Sequence, residues 1–335
     1  MKEMKRLLLF GIFTVAGLFM LMLFVFSSQK KVLPDSTYQQ AFQENYKIFS
    51  VEIPDKINFA GEEAPLDLFY VREKLDRELL INTYWHTSSI LLIKRANRWF
   101  PVIEPILKEN GIPDDFKYLA LIESGLMNVV SPKGATGFWQ FLEKTAREYG
   151  LEVNKSVDER YNVEKSTAAA CRYLNDSYEQ FGDWTLVAAA YNAGQRRIKE
   201  AVEKQKTGNY YNLYLNDETS RYLYRIMAIK TVYNNPTKYG FYIRKSDLYP
   251  VIPVKEITVS NTIPDLVEFA EKQGVSYKVL KIFNPWLRTD KLPDESHKIY
   301  HIEIPEKKYL DPENVRKLLG NDNEIFNDTL RVEDL

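Results

Sequence analysis

Apolar residues recur at helical spacing through the first two thirds of the chain. In the stretch "PLDLFYVREKLDRELL", they fall three or four positions apart, at Leu68, Val71, Leu75 and Leu79. This spacing places them on one helical face. The next stretch, "SSILLIKRANRWFPVIEPILKEN", also has helical spacing and ends before Gly111. Its two prolines, Pro101 and Pro105, predict that this helix breaks or restarts.

A third predicted helix carries a carboxylate inside an apolar run. It opens at Pro113, with Asp114 and Asp115 in its first turn, and closes at Gly125. Glu123 lies in its run "YLALIESGLM" with no acid beside it. A buried carboxylate is costly to leave ionised, so it is usually paired, protonated or used. The other interpretation is a solvated glutamate near a helix C-terminus.

The pattern changes in the last third of the chain. Upstream of this change, helices are predicted to end at glycines or at Asn235 and Pro236, and Asp183 is a predicted N-cap. The stretch "LYPVIPVKEITVS" is then β-branched and flanked by prolines, and "KIYHIEIP" alternates like a strand. Two short helices are predicted between these strands, which together indicate a small α+β module. The tail from Asp311 is polar and is predicted to be a solvated extension.

The N-terminus contains a long apolar run. Residues 7–26 carry no charge and match the roughly 20 residues that span a bilayer, and Lys2, Lys5 and Arg6 precede them. The run is longer than the apolar region of a typical cleaved signal, although cleavage near Ser27 or Ser28 is the alternative. The sequence therefore predicts an anchor that places the following chain outside the cytoplasm.

These patterns predict a mostly α protein built in five segments. They are an anchor or signal segment at 1–31, a helical extension at 32–89, a helical domain at 90–248, the α+β module at 250–306 and the polar tail at 307–335.

Composition and motifs exclude several classes of function. The net charge of −1 makes nucleic acid an unlikely partner, and one cysteine, Cys171, allows neither an internal disulfide nor a cysteine zinc cluster. His297 and His301 lie in a predicted strand, where positions i and i+4 are about 13 Å apart, too far to share one metal ion. No nucleotide-binding or nucleophile motif is present. We therefore expect neither a metal nor a cofactor.

Four blocks in one order resemble a known family. "IESGLMNVVSPKGA", "TGFWQFLEKTAREYGL", "AAAYNAG" and "ETSRYLYRI" together resemble the catalytic domain of soluble lytic transglycosylases, within the lysozyme-like superfamily. The "GFWQF" variant is similar to the membrane-bound type D branch, and the resemblance covers residues 90–244. It departs from the family at Leu126, where an aromatic is common, and at Trp139, which replaces a methionine.

The resemblance implies a lysozyme-like fold, a site and a reaction. It implies that Glu123 is the single catalytic acid/base and that the substrate-binding residues are Ser124, Ser131, Gln140, Tyr191, Asn192 and Tyr222. The implied substrate is peptidoglycan, cleaved between N-acetylmuramic acid and N-acetylglucosamine without water. The C6 hydroxyl of the muramic residue would attack its own C1 and leave a 1,6-anhydro ring, so that no second carboxylate is needed. The implied location is the periplasmic side of the cell envelope, either anchored to the inner membrane or secreted.

The predicted α+β module has a resemblance of its own. "SNTIPDLVEFAEKQGVSYKVLKIFNP" and "YHIEIP" resemble a degenerate LysM repeat, a unit that binds glycans, with Ser260, Asn261 and Thr262 in place of the usual opening Gly-Asp-Thr. A purely structural module is the alternative. For the whole chain, two other functions stay open. They are a hydrolytic muramidase that activates water through Asp158 or Glu218, and an inert protein that binds the cell wall.

Overall fold

The computed structural model describes residues 40, 43–44, 47–293, 298–320 and 324–329. The predicted anchor at 7–26 and His297 lie outside these residues. No helix within the described part of the chain has the length and apolar character needed to cross a membrane. The chain divides into Met1–Ser50 and Val51–Leu335, and everything described below belongs to the second unit.

The second unit opens with a β-hairpin and two long helices. Strands β1 (Asn58–Phe59) and β2 (Glu62–Glu63) pair antiparallel, and helices α1 (Phe69–Tyr84) and α2 (His86–Glu109) follow. The predicted apolar face of α1 is confirmed, because Val71, Leu75 and Leu79 are all fully buried. Leu68 is the half-buried N-cap of α1.

The predicted break in α2 is wrong. The helix continues through Pro101 and Pro105, and both prolines are exposed. A proline removes the hydrogen bond to the carbonyl four residues earlier, here those of Asn97 and Pro101. Asn97, Pro101 and Pro105 lie four positions apart on one helical face, on which both prolines are exposed. The opposite face is held by buried residues that include Ile93, Phe100 and Ile103, so packing keeps the helix whole.

The rest of the first domain contains the predicted helices and one more, at Gln195–Gln205, that was not predicted. A 3-10 turn at Asp114–Phe116 leads into α3 (Lys117–Ser124), which ends at Gly125 in the left-handed conformation. The other helices are α4 (Glu143–Glu148), α5 (Val163–Phe181), α6 (Trp184–Ala193), α7 (Gln195–Gln205) and α8 (Asp217–Asn234). Asp183 caps α6 as predicted, accepting a hydrogen bond from the Leu186 amide at 2.8 Å.

The helices pack around one hydrophobic core. Helix α8 lies against α1, α3 and α6, while α5 lies against α2 and α6. Helix α3 also contacts α2, so its last turn sits between elements from both halves of the domain. This arrangement fixes Glu123 from several directions.

The C-terminal module has the predicted strand–helix–helix–strand order. Strand β3 (Val254–Val259) pairs antiparallel with β4 (Tyr300–Pro305), and α9 (Leu266–Lys272) and α10 (Tyr277–Phe283) lie between them in sequence. Its core is a separate cluster of buried side chains. That cluster also contains two residues of the helical domain, Val157 and Tyr161.

The tail departs from the predicted solvated extension. After α11 (Pro312–Arg316), Ile325 and Phe326 are buried. The Phe326 amide donates to the Ile243 carbonyl at 2.8 Å, and its ring lies 5.3 Å from that of Tyr233. Two adjacent apolar residues within a polar segment are enough to dock this part of the tail on the helical domain.

Candidate active site

Glu123 and Tyr222 form the centre of the site. Glu123 lies in the last turn of α3 and is half-buried, while Tyr222 lies in α8 and is almost fully buried. The Tyr222 hydroxyl donates a short hydrogen bond to Oε1 of Glu123. Two helices distant in sequence therefore fix one carboxyl group.

The surroundings raise the pKa of Glu123 above its ordinary value. Burial is the largest cause, because it disfavours the charged form, and the nearby charge of Glu218 adds to it. The hydrogen bond from Tyr222 and the positive charge of Arg225 act in the opposite direction. The balance favours a carboxyl group that keeps its proton further toward neutral pH than an exposed glutamate does.

A cleft of about 540 Å³ opens beside Glu123. Its wall includes four more of the predicted site residues, Ser131, Gln140, Tyr191 and Asn192. The structure therefore brings most of the predicted constellation to one surface.

Ser124, like Tyr222, lies outside the lining of the cleft. Its hydroxyl is buried and donates to the carbonyls of Phe138 at 2.9 Å and Ala120 at 3.2 Å. These bonds tie the end of α3 to the loop that carries Gln140.

Gln140 and Ser131 are held by the loop between α3 and α4. Gln140 has a φ of 49°, a conformation that is uncommon for residues other than glycine. Its Nε2 donates to the carbonyls of Gly137 at 2.8 Å and Val129 at 3.1 Å. The Ser131 hydroxyl accepts from the Ala135 amide at 3.0 Å. Both side chains are thus oriented before any ligand binds.

Tyr191 and Asn192 end α6 at the opposite wall. The Tyr191 hydroxyl donates to the Trp139 carbonyl at 2.6 Å. Asn192 accepts from the Thr219 hydroxyl at 2.8 Å and donates to Glu218 at 3.3 Å. Trp139, one of the two residues that depart from the family pattern, is fully buried and donates to Thr167 at 2.9 Å. It supports this wall through its backbone and does not line the cleft.

Sequence reasoning missed three residues around this site. The charge of Arg225 lowers the pKa of Glu123, Tyr173 lines the cleft, and Thr219 orients Asn192. Arg225 could have been found, because it lies three positions after Tyr222 on the same helical face. The Tyr173 ring packs edge-on against the Tyr191 ring, with 5.3 Å between their centres. This contact joins two helices, so no local sequence pattern predicts it.

The two acids considered for water activation are placed differently. Glu218 lines the cleft with Glu123. Asp158 is buried, is paired with Arg160 at 2.7 Å and is not among the residues that line the cleft. Only Glu218 of these two has access to a bound ligand.

No group of three or more histidine, cysteine, aspartate or glutamate side chains is arranged for a metal ion in the described ranges. His301 lies on β4, and its Nδ1 is 2.6 Å from Oε1 of Glu256 on the paired strand. Cys171 is buried, and burial raises the pKa of its thiol to about 12, so that the sulfur is not a ready nucleophile.

Comparison with known proteins identifies both domains. The Transglycosylase SLT domain matches residues 100–214, and the soluble lytic transglycosylase C-terminal LysM-like domain matches residues 255–308. This chain is an SLT-domain protein with a C-terminal LysM-like domain. The predicted fold class, a mostly α lysozyme-like domain followed by a small α+β module, is confirmed.

The SLT-domain protein has relatives in two strains of Escherichia coli, K12 and O6:H1. Both relatives are named membrane-bound lytic murein transglycosylase D and are 27% identical over 235 residues, which cover 68% of this chain. The chain spans about half the length of these curated relatives, 50% of each. The solved 70 kDa soluble lytic transglycosylase of Escherichia coli matches 42% of this chain and 24% of its own, at 22% identity and a TM-score of 0.35.

Proposed function

We propose that this protein is a peptidoglycan lytic transglycosylase. It cleaves the β-1,4 bond between N-acetylmuramic acid and N-acetylglucosamine and leaves a 1,6-anhydro end on the muramic residue. The SLT domain and the named activity of the curated relatives support this class. The main support for this function is one half-buried carboxyl group at the edge of a cleft, that of Glu123. Its pKa is raised, and it accepts a hydrogen bond from Tyr222.

Glu123 serves as acid and then as base. Its proton passes to the glycosidic oxygen as the bond to C1 breaks, which releases the N-acetylglucosamine side as a neutral alcohol. The resulting carboxylate removes the proton of the muramic C6 hydroxyl as that oxygen bonds to C1. No water is consumed, and Glu123 ends the cycle protonated. The nucleophile belongs to the substrate, so intramolecular attack replaces the second carboxylate of ordinary glycosidases.

The other cleft residues position the sugar. Gln140 and Tyr191 face the same cleft as Glu123 and are held by hydrogen bonds to backbone carbonyls. Ser131 and Asn192 extend this polar lining on either side. We assign all four to substrate binding, and Tyr222 to the orientation of the acid.

Product mass tests this function. Digestion of purified sacculi should release muropeptides lighter by one water than those released by a lysozyme. Glu123→Gln should lower the rate at least about 10²-fold, because general acid–base catalysis contributes about 10²–10⁴-fold. The glutamine keeps the volume and can still accept from Tyr222, so circular dichroism should be unchanged. Products of hydrolytic mass, or full activity in Glu123→Gln, would refute the assignment.

Hydrolysis by a lysozyme-type muramidase is the second candidate. One observation favours it, because Glu218 shares the cleft with Glu123 and could activate a water molecule. Under this mechanism Glu218→Gln would abolish cleavage, and the wild-type products would carry the added water. Under transglycosylation the same variant should keep anhydro products and most of its activity, because Glu123 is unchanged and the glutamine oxygen can still accept from Asn192.

We place the protein in the cell envelope. The curated relatives are named membrane-bound, and the apolar run at 7–26 supports an inner-membrane anchor with the SLT domain on the periplasmic side. The LysM-like domain would bind glycan strands next to the cleft. Washed membranes should retain the protein, and external protease should degrade its SLT domain. A mature N-terminus near Ser28 would instead indicate secretion.

A further inference from the structure

The loop formed by residues 131–141, here called the cleft loop, carries both Ser131 and Gln140. Hydrogen bonds between neighbouring residues shape it. The Gly134 amide donates to Ser131 and the Ser131 amide to Ala135, and Thr136 and Phe141 exchange amide hydrogen bonds at 3.0 and 3.2 Å. These bonds join residues of the loop to one another, so its position on the domain depends on contacts from outside.

Ser124 and Tyr191 bind the carbonyls of Phe138 and Trp139, and Arg160 supplies a further outside support. Its guanidinium is buried, and Nη1 donates to the carbonyls of Gly134 and Phe141, each at 3.2 Å. Nε and Nη2 bind the two carboxylate oxygens of Asp158 at 2.9 and 2.7 Å. A two-point pair of this kind fixes the guanidinium plane and therefore the direction of Nη1. Arg160 thus joins the middle of the cleft loop to its end.

The cleft loop also rests on the backbone of Arg160. Gly137 has a φ of 80°, and a Cβ atom built on it would lie 1.9 Å from the Arg160 carbonyl oxygen. Only glycine allows this approach. The loop therefore contacts both the side chain and the main chain of one residue.

The LysM-like domain contacts residues 157–161, the segment that contains Arg160. The Asp158 amide donates to the Trp286 carbonyl at 2.9 Å, and Val157 pairs with Leu287 in a β-bridge. The Arg288 guanidinium lies 4.0 Å from the centre of the Tyr161 ring. These contacts flank Arg160 on both sides in sequence.

We propose that Arg160 is a positioning residue for the cleft and that the LysM-like domain holds it in place. Arg160 does not line the cleft and acts through the cleft loop, on Ser131 and Gln140. The kinetic consequence rests on the proposed function, because small displacements of positioning groups cost up to about 10²-fold in rate. Glu123 and Tyr222 lie on α3 and α8, outside the cleft loop, so the acid itself is unaffected.

Three measurements on Arg160→Ala test the proposal. Hydrogen exchange should become faster at residues 131–141 while the amides of α3 stay protected. In a Glu123→Gln background, the Kd for a purified tetrasaccharide of alternating N-acetylglucosamine and N-acetylmuramic acid should rise about 10-fold. The pH at which activity falls should not move.

Arg160→Lys should recover part of the affinity. Arg147→Ala, which breaks an exposed arginine–glutamate pair on α4, is the matched control and should change none of these readouts.

The contribution of the LysM-like domain needs a variant on its own side. Arg288→Ala removes the contact with Tyr161, leaves the cleft loop untouched and gives a folded alternative if Arg160→Ala does not fold. It should also speed exchange at 131–141 and raise the Kd, by less than Arg160→Ala does. Unchanged loop exchange and unchanged Kd in a folded Arg160→Ala or Arg288→Ala protein would overturn the proposal. Loop exchange and Kd report on it even if the wild type forms no anhydro products, an outcome that would refute only the proposed reaction.

Discussion

Burial and Tyr222 act on Glu123 in opposite directions. Burial raises the pKa of the carboxyl, whereas the hydrogen bond from Tyr222 stabilises the carboxylate and lowers it. Under the proposed mechanism Glu123 gives a proton and then takes one back, so it needs both influences. Without burial the acid would be ionised too early, and without a donor the carboxylate formed in the first step would be unsupported.

Tyr222→Phe should shift the pH profile upward. The variant removes the hydrogen bond and leaves burial in place, so the pKa of Glu123 rises further. Because the proposed first step needs protonated Glu123, the fall in kcat/KM at high pH should move to higher pH. The rate at the optimum should also fall, since the carboxylate has lost its donor. A profile that moves to lower pH would contradict this account.

Glu123→Gln should stabilise the protein at neutral pH. The folded pKa lies above the ordinary value of 4.5, so the folded state binds this proton more tightly than the unfolded state. The contribution of Glu123 to stability is therefore full below about 4.5 and is lost as the pH rises through the folded pKa. Measured by urea unfolding, the free energy of unfolding of the variant should rise relative to that of the wild type between pH 4 and pH 8. If the difference between the two free energies does not change with pH, ionisation of Glu123 does not affect stability.

At the scale of elements, the sequence predicted helix ends best, because neighbouring residues determine them. The caps at Asp183 and Gly182 could be predicted because a helix start needs a side-chain acceptor and a helix end favours a left-handed residue. The predicted break at Pro101 was wrong because both prolines are exposed and the buried face of α2 keeps the helix packed. The contacts of Arg160 were not predictable, since they join residues that no short pattern connects.

Replacing the two helical prolines tests this interpretation of α2. Pro101→Ala and Pro105→Ala should each raise the free energy of unfolding by about 1–2 kcal/mol. Proline costs about 3 kcal/mol relative to alanine inside a helix, and part of this is offset by its stiffening of the unfolded chain. Both side chains are exposed, so little packing is lost. Denaturant unfolding measures the change, and destabilisation would mean that the prolines make contacts worth more than a hydrogen bond.

At the scale of the molecule, the two domains share a core. The LysM-like module looked separable because prolines flank it, yet Val157 and Tyr161 of the SLT domain are buried among its residues. A cavity of about 260 Å³ lies at this junction, lined in part by Trp99, Trp286 and Glu303. The junction between the two domains thus contains both packed apolar side chains and the carboxyl group of Glu303.

Glu303 makes the junction sensitive to pH. Burial, followed by the charges of Glu164 and Glu256, raises its pKa to about 7. The folded pKa exceeds the ordinary value, so stability should fall as the pH rises from about 5 to 8. Glu303→Gln should remove part of this fall, whereas Glu271→Gln, at an exposed position, should not. Thermal unfolding at several pH values measures both, and equal slopes in the two variants would exclude Glu303 as the cause.

A chain ending at Asp247 should be markedly less stable than the full protein. It exposes Val157 and Tyr161, each worth about 1.5–3 kcal/mol of burial, and it loses the contact of Phe326. The melting temperature should fall by roughly 10 °C, at about 2–4 °C per kcal/mol. A chain ending at Gly320 keeps the module and separates the effect of Phe326. Equal melting temperatures for all three chains would show that the domains are independent.

The β-bridge between Val157 and Leu287 also sets an order of assembly. A growing chain completes Glu123, the cleft loop and Arg160 well before it produces Leu287. Until the LysM-like domain is made and folded, the segment that holds the loop lacks its contacts with Trp286 and Leu287. Contacts between residues so far apart in sequence form late, because a long loop must close first. The nascent protein thus acquires Glu123 early and a fully supported cleft only after the LysM-like domain has folded.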